Sequence, residues 1–343
     1  MTSKRVKEAI GKIKPITSVA IFISDKDRNE RKAYVKVGVA LKHIRVLSDQ
    51  CTITELVFIS CKIKSGLTIK LLAELVGNCP RLKKLNLEDN ILGNDVGILA
   101  EQLHKCPELE ILDLGYNNIG PDGAYSLAQG LKECKSLSKL ILHRNQISDS
   151  GIESLAGVLP QLKVLSHLAL DDNQIFRDGA YSLAQVLPYC KTLSVLNLWG
   201  NHFCNSGVER IAEVLPHCEA LVNLNLSGNE FGADGIQSLA EALPHCKALA
   251  VFEVGSNVFG NYGITCLAKA LPKCKVLKEL NLDYSHIGDT GVYSLGQVLK
   301  DCPALKKINL DGNPISDEAS ESFGDVLIEH RPDIECSLSF YSY

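Results

Sequence analysis

Apolar positions recur along this chain at a fixed spacing. One segment places Leu109, Leu112, Leu114, Asn117 and Ile119 where another places Leu221, Leu224, Leu226, Asn229 and Phe231. Both read L-x-x-L-x-L-x-x-N, with an apolar residue two places further on. The opening residue recurs at Ile53, Leu82, Leu109, Leu137, Leu165, Leu193, Leu221, Leu249, Leu277 and Leu305. The first two intervals are 29 and 27 residues, and all later ones are 28. Such a period marks an array in which each unit buries its apolar face against its neighbours.

The pattern predicts one strand and one helix per repeat. Taking the opening residue as position 1, the L-x-L at positions 4–6 alternates as a strand with one buried face. Position 9 is Asn at Asn90, Asn117, Asn145, Asn173, Asn201, Asn229, Asn257 and Asn313, and stacked copies can satisfy buried amides as a ladder. Ser285 interrupts it, so a weak point is expected there. Gly follows six residues after the Asn, at Gly123, Gly151, Gly179, Gly207, Gly235, Gly263 and Gly291. A helix comes next, with apolar residues spaced as in Leu127, Ala128 and Leu131. Pro160, Pro188, Pro216, Pro244 and Pro272 mark its end. Residues 122–129 (DGAYSLAQ) recur verbatim at 178–185, a sign of internal duplication.

These motifs resemble the leucine-rich repeats, specifically the long-repeat subfamily of the cytosolic ribonuclease inhibitor, the Ran GTPase-activating protein and the repeat domains of NOD-like receptors. The L-P-H-C segments look most like the NOD-like receptor repeats. The resemblance implies an α/β fold: a right-handed horseshoe solenoid with parallel strands on the concave face and helices on the convex face. Ten repeats are expected over 53–315, between an N-terminal basic cap over 1–52 and a C-terminal cap over 316–343, in one continuous domain. The first cap reads as a degenerate repeat. Ile16, Val19 and Ile21 mimic its strand. Ala33, Val37, Ala40, Leu41, Ile44 and Leu47 form a helical stripe, and Val6, Ala9, Ile10 and Ile13 mark a short helix before it. At the other end, 334–340 is expected as an edge strand.

Composition narrows the function classes. Hydrophobic residues make up 45% of the 343, aromatics only 6%, so the core is aliphatic and disorder is excluded. No apolar run is long enough to span a membrane. The apolar stretch 16–23 runs into Asp25, Lys26, Asp27 and Arg28 with no cleavage site, unlike a secretory signal. The net charge of −4 conceals a basic end: residues 1–47 hold 12 Lys/Arg and four acids, leaving an acidic body. That end reads as a solvated face over a capping helix, with binding of an acidic surface as the alternative. Of 13 cysteines, eight share one repeat position: Cys79, Cys106, Cys134, Cys190, Cys218, Cys246, Cys274 and Cys302. Leu162 takes the slot once, so it reads as buried and apolar, filled by reduced thiols in a cytoplasmic protein.

Chemical signatures are sparse. His217 and Cys218, with His245 and Cys246, do not match zinc spacing. Cys204 near His202 is a weak nucleophile pair. No serine-hydrolase, metalloprotease or phosphate-loop motif occurs, so no cofactor and no enzymatic activity are expected. Nor does aromatic interleaving in the basic segment point to nucleic acid. The strand face is the strongest candidate. Positions 3, 5, 7 and 8 carry ten acids and four bases over the ten repeats. Trp199, the single tryptophan, sits at position 7, and Tyr116 and Tyr284 at position 8. The expected partner-binding residues are Asp113, Tyr116, His143, Arg144, Asp171, Asp172, Trp199, Glu253, Asp283 and Tyr284. The expected function is a monomeric interaction module whose acidic concave face takes a protein with a basic surface. By resemblance, innate immune sensing or its restraint follows. Activation of a Ran-like GTPase and inhibition of a ribonuclease are the alternatives.

Overall fold

The computed structural model describes residues 18–22, 53–64 and 66–339. Each L-x-L becomes a short strand. They are β1 (Ser18–Phe22), β2 (Glu55–Ile59), β3 (Lys84–Asn86), β4 (Ile111–Asp113), β5 (Lys139–Ile141), β6 (His167–Ala169), β7 (Val195–Asn197), β8 (Asn223–Asn225), β9 (Val251–Glu253), β10 (Glu279–Asn281), β11 (Lys307–Asn309) and β12 (Glu335–Ser337). All pair in parallel and in sequence order in one sheet. The register advances by one repeat per strand, so Val195 pairs with Asn223 and Asn223 with Val251. Position 4 (Leu112, Leu196, Leu224) is fully buried, while positions 3 and 5 look out from the sheet. β1 covers the expected Val19 and Ile21, and β12 covers residues 335–337 of the edge strand expected over 334–340. The remaining cap residues named above, the basic segment and Phe340 lie outside the described residues.

Parallel neighbours require a crossover, and each repeat supplies a helix. The helices are α1 (Leu67–Gly77), α2 (Val96–Ala100), α3 (Pro121–Leu131), α4 (Ser148–Ala156), α5 (Arg177–Val186), α6 (Cys204–Val214), α7 (Ala233–Ala242), α8 (Gly260–Ala270), α9 (Asp289–Gly296) and α10 (Asp317–His330). This is the leucine-rich-repeat solenoid, with one core running from Ile53 to Ile334. The prolines do not simply end the helices. Each is the second residue of a 3-10 turn that follows, such as Leu215–His217, where a missing N–H breaks no bond.

The Asn ladder forms as expected. Asn201 Nδ2 donates to Leu198 O (3.0 Å) and, across the repeat boundary, to Leu170 O (3.1 Å). Its Oδ1 accepts from the amides of Asn173 and Ile175, both at 3.1 Å. At the gap, Ser285 Oγ reaches only Asp283 O. Asn257 still donates to Val254 O and Asn313 to Leu282 O, each at 2.8 Å, so neither strand carbonyl is orphaned.

The structural unit is two repeats. Position 10 is left-handed at Lys62, Asn118, Gln174, Glu230 and His286, whereas in the alternate repeats position 12 takes that role at Gly93, Ser148, Cys204 and Gly260. Those alternate repeats then cap the next helix. Asn205 Oδ1 accepts from Gly232 N (2.7 Å) and Gly235 N (3.3 Å) at the start of α7, and Asp149 Oδ1 from Phe176 N (2.7 Å) at α5. A two-repeat period places the verbatim octapeptide one such unit apart.

The cysteine slot is less apolar than the Leu162 substitution implies. Each thiol from Cys190 onward donates to the carbonyl four residues back, as Cys246 Sγ to Ala242 O (3.5 Å) and Cys302 Sγ to Val298 O (3.2 Å). Uniform burial is also corrected: Cys190, Cys218 and Cys246 are only half-buried. All twelve described cysteines are free thiols.

The last repeat is closed by Arg331. Its guanidinium is buried and donates to the carbonyls of Leu299, Cys302 and Leu305, and to Asp333.

Candidate functional site

The turn after each strand builds a row on the outward sheet edge. Position 8 is left-handed in all ten repeats, at Ser60, Asp89, Tyr116, Arg144, Asp172, Gly200, Gly228, Ser256, Tyr284 and Gly312. Glycine is unstrained there, and three repeats use it. A bulky residue at such φ costs on the order of 1–2 kcal/mol. Tyr116 (φ 54°), Arg144 (φ 52°) and Tyr284 (φ 48°) are nonetheless held in that conformation, pointing out of the fold.

Six of the expected residues join one cluster across β3 to β7. The Tyr116 and His143 rings meet edge to face at 5.3 Å, and the Arg144 guanidinium lies 4.8 Å from the Tyr116 centroid. Arg144 Nε is 3.0 Å from Asp172 Oδ2, and His143 Nε2 is 3.8 Å from Glu88 Oε1. Asp171 Oδ1 accepts from Asn197 Nδ2 at 2.9 Å, and the Asp172 amide donates to Trp199 O at 2.8 Å. Glu253, Asp283 and Tyr284 are not part of this cluster. They lie on the later repeats, beyond Trp199 and Ser227.

One of these residues is less open than its outward strand position implies. Asp113 is not an open acid: it is 8% exposed. Its Oδ1 accepts from Gly115 N and its Oδ2 from Asn86 Nδ2, both at 3.1 Å. It thus does the work of the position-5 asparagines, whose Oδ1 accepts from position 7, as Asn197 does from Trp199 N and Asn225 from Ser227 N. Trp199 is partly exposed. Its indole Nε1 lies 3.5 Å from where a Cβ on Gly228 would stand. Glycines at positions 7 and 8 seat neighbours elsewhere too: a Cβ at Gly115 would enter the His143 ring, and one at Gly312 the Tyr284 ring.

Burial sets the acidity of this face. It raises the carboxyls of Asp113 and Asp171. Glu253 is raised by burial first and then by Asp283 and Glu279. Asp283 is raised by burial, against the hydrogen bond from Asn281. The early repeats answer acids internally: Lys84 pairs with Glu55 at 2.8 Å and Arg144 with Asp172. Sequence reasoning missed the position-5 asparagines, although L-N-L at residues 85–87, 196–198, 224–226 and 280–282 was a visible signal.

The weak nucleophile pair does not form a dyad. Cys204 Sγ contacts His202 O at 3.7 Å, while the His202 ring stacks on Phe176 and its Nδ1 meets Glu230 Oε1 at 2.7 Å. Among the described residues, no group of His, Cys, Asp and Glu could hold a metal ion, and no helix is long and apolar enough to cross a membrane.

A leucine-rich-repeat family model matches residues 105–128, 133–156, 217–240 and 273–296. No curated protein matches the chain. Among solved structures, the chain is similar to an internalin from Listeria monocytogenes at 16% identity, covering 91% of this chain and 95% of that one, with a TM-score of 0.47. It is also similar to actin-binding site 2 of leiomodin-1 at 16% identity, covering 39% of this chain and 78% of that one, with a TM-score of 0.35. The Asn ladder, the strand–helix unit and the four matched repeats give this chain the leucine-rich-repeat fold.

Proposed function

We propose that this chain is a non-catalytic protein-interaction module that binds a partner with a basic surface through its concave sheet face. The observation that carries this reading is the position-8 row. Tyr116, Arg144 and Tyr284 occupy left-handed positions where glycine would cost less, and their side chains add nothing to the core. Local strain spent on exposed aromatic and charged groups fits recognition better than stability. The acid excess of this face supplies the complementary potential. The resemblance to NOD-like receptor repeats extends the reading to a cytoplasmic, monomeric role in innate immune sensing or its restraint.

The test is capture from cell extract with three baits: wild type, Trp199→Ala, and Tyr116→Gly with Tyr284→Gly. A protein retained by wild type and lost with both variants, all baits being equally folded by circular dichroism, supports the concave face. Equal retention by all three overturns it.

A further inference from the structure

The carboxylates of the later repeats are not answered as those of the early ones are. Glu253, Glu279 and Asp283 form no ion pair among the described residues, although Lys307 is the register partner of Glu279. Among the described residues, Asn225 Nδ2 is the one side-chain donor to Glu253, at 3.2 Å. Asp283 leans back from its own repeat, so that a Cβ at Gly255 would enter its carboxylate. Trp199 leans forward from the other side, over Gly228. The two side chains thus tilt toward each other across two intervening repeats, whose position-7 residues are Ser227 and Gly255.

Ser227 is the second, independent sign. It is 4% exposed, and its Oγ has no hydrogen-bond partner among the described residues. A buried hydroxyl left unpaired is costly, so its retention on the recognition face asks for a ligand. An indole face, two carboxylates raised by burial and a free hydroxyl acceptor match one chemical group. A guanidinium is planar, stacks on an aromatic face and carries five donors in one plane. An ammonium has a hydrated point charge and no face to stack.

We infer that the gap bounded by Trp199, Ser227, Glu253 and Asp283 receives an arginine side chain of the partner. The indole lifts from Gly228 and closes on one guanidinium face. The N–H groups then donate to Glu253, Asp283 and Ser227 Oγ. This assignment rests on the concave-face reading and gives its partner a chemistry.

Trp199 is the single tryptophan, so its indole N–H resonance reports on this gap alone. The probe is N-acetyl-arginine amide, titrated to roughly 50 mM at fixed ionic strength into uniformly 15N-labelled protein, beside the lysine and citrulline analogues. A saturable indole shift is expected with the arginine probe, about ten-fold stronger in affinity than with lysine and absent with neutral citrulline. Glu253→Gln and Asp283→Asn should each weaken it about ten-fold, and Ser227→Ala by about three-fold. Glu241→Gln, an exposed acid on α7, should leave it unchanged. An unmoved indole resonance, or equal shifts with arginine and citrulline, overturns the assignment. Should that happen while the captured protein is still lost with Trp199→Ala, the concave-face reading stands and only the arginine site falls.

Discussion

Arg144 and Asp172 are partners: Nε lies 3.0 Å from Oδ2, and both residues hold left-handed backbone positions one repeat apart. The pair lets one strained turn position neutralise the next. It also means that Asp172 is not a free acid awaiting a basic partner. Replacing Asp171 and Asp172 by Lys removes two negative charges and also releases Arg144. We predict slower association with the captured partner and a flatter salt dependence. Trp199→Ala should act mainly on dissociation, at a cost of about 2 kcal/mol or more, as for a central anchor. Surface plasmon resonance at low and high salt separates the two effects. Wild-type rates for both variants would move the site to the convex helices or to the basic segment.

The ladder gives a stability prediction in both directions. Asn201→Ala deletes two donors and the acceptor of two amides, all buried, and should cost about 2–4 kcal/mol. Ser285→Asn should raise stability by about 1 kcal/mol, since it restores the donors the other repeats have. Urea unfolding, with the slope checked for cooperativity across the array, measures both.

Arg331 is expected to matter more than its place near the end of the array suggests. Arg331→Leu leaves the carbonyls of Leu299, Cys302 and Leu305 without their donor. A loss of about 2–4 kcal/mol is expected. Hydrogen exchange should show it first in α10 and β12 and spreading inward, because each repeat rests on its neighbour. Loss confined to fraying of those last two elements would show that Arg331 caps only locally.

Thiol reactivity should be sharply graded. Burial pushes Cys106, Cys134 and Cys246 up to about 12 and Cys190, Cys218, Cys274 and Cys302 up to about 11, so their thiolates are scarce at pH 8. Cys204 is exposed. Native protein treated with a thiol reagent should label rapidly at Cys204, and the ladder should react only after denaturant is added. Several disulfides in freshly isolated protein would contradict the free-thiol ladder.

Acid should first help the fold and hurt the binding. The carboxyls of Asp113, Asp171, Glu253 and Asp283 are raised in the folded state, so the folded chain holds more protons than the unfolded one in that range. Their contribution to stability therefore grows as pH falls through the raised values and is lost again as pH rises. Asp311 is lowered by the hydroxyls of Ser337 and Ser339 and by the Ser339 amide, against an opposing effect of burial, and Asp333 by Arg331 and Lys306. These two act in the opposite sense at lower pH. Binding of a basic partner should weaken over the window in which stability improves. Thermal unfolding and binding compared between pH 7 and pH 5 test whether the two move apart.

The sequence by itself determined the repeat, its period and the strand, ladder and helix positions. Each depends on residue types recurring at fixed spacing: Leu112 and Leu224 are buried because an L-x-L alternation has one inward face. The outward side of the same strands was legible as positions, and Trp199, Tyr116, Arg144 and Asp172 do lie on it. What those residues touch was not legible, because contacts run between repeats 28 residues apart and depend on which way each side chain leans. Asp113 looked like an exposed acid until the amide of Gly115 and the carboxamide of Asn86 closed on it. The two-repeat period, the caps lent by Asn205 and Asp149 to the next helix, and the tilt of Trp199 and Asp283 toward Ser227 are all decided across repeat boundaries. Local pattern fixes where a side chain starts, and packing against the neighbouring repeat fixes where it ends.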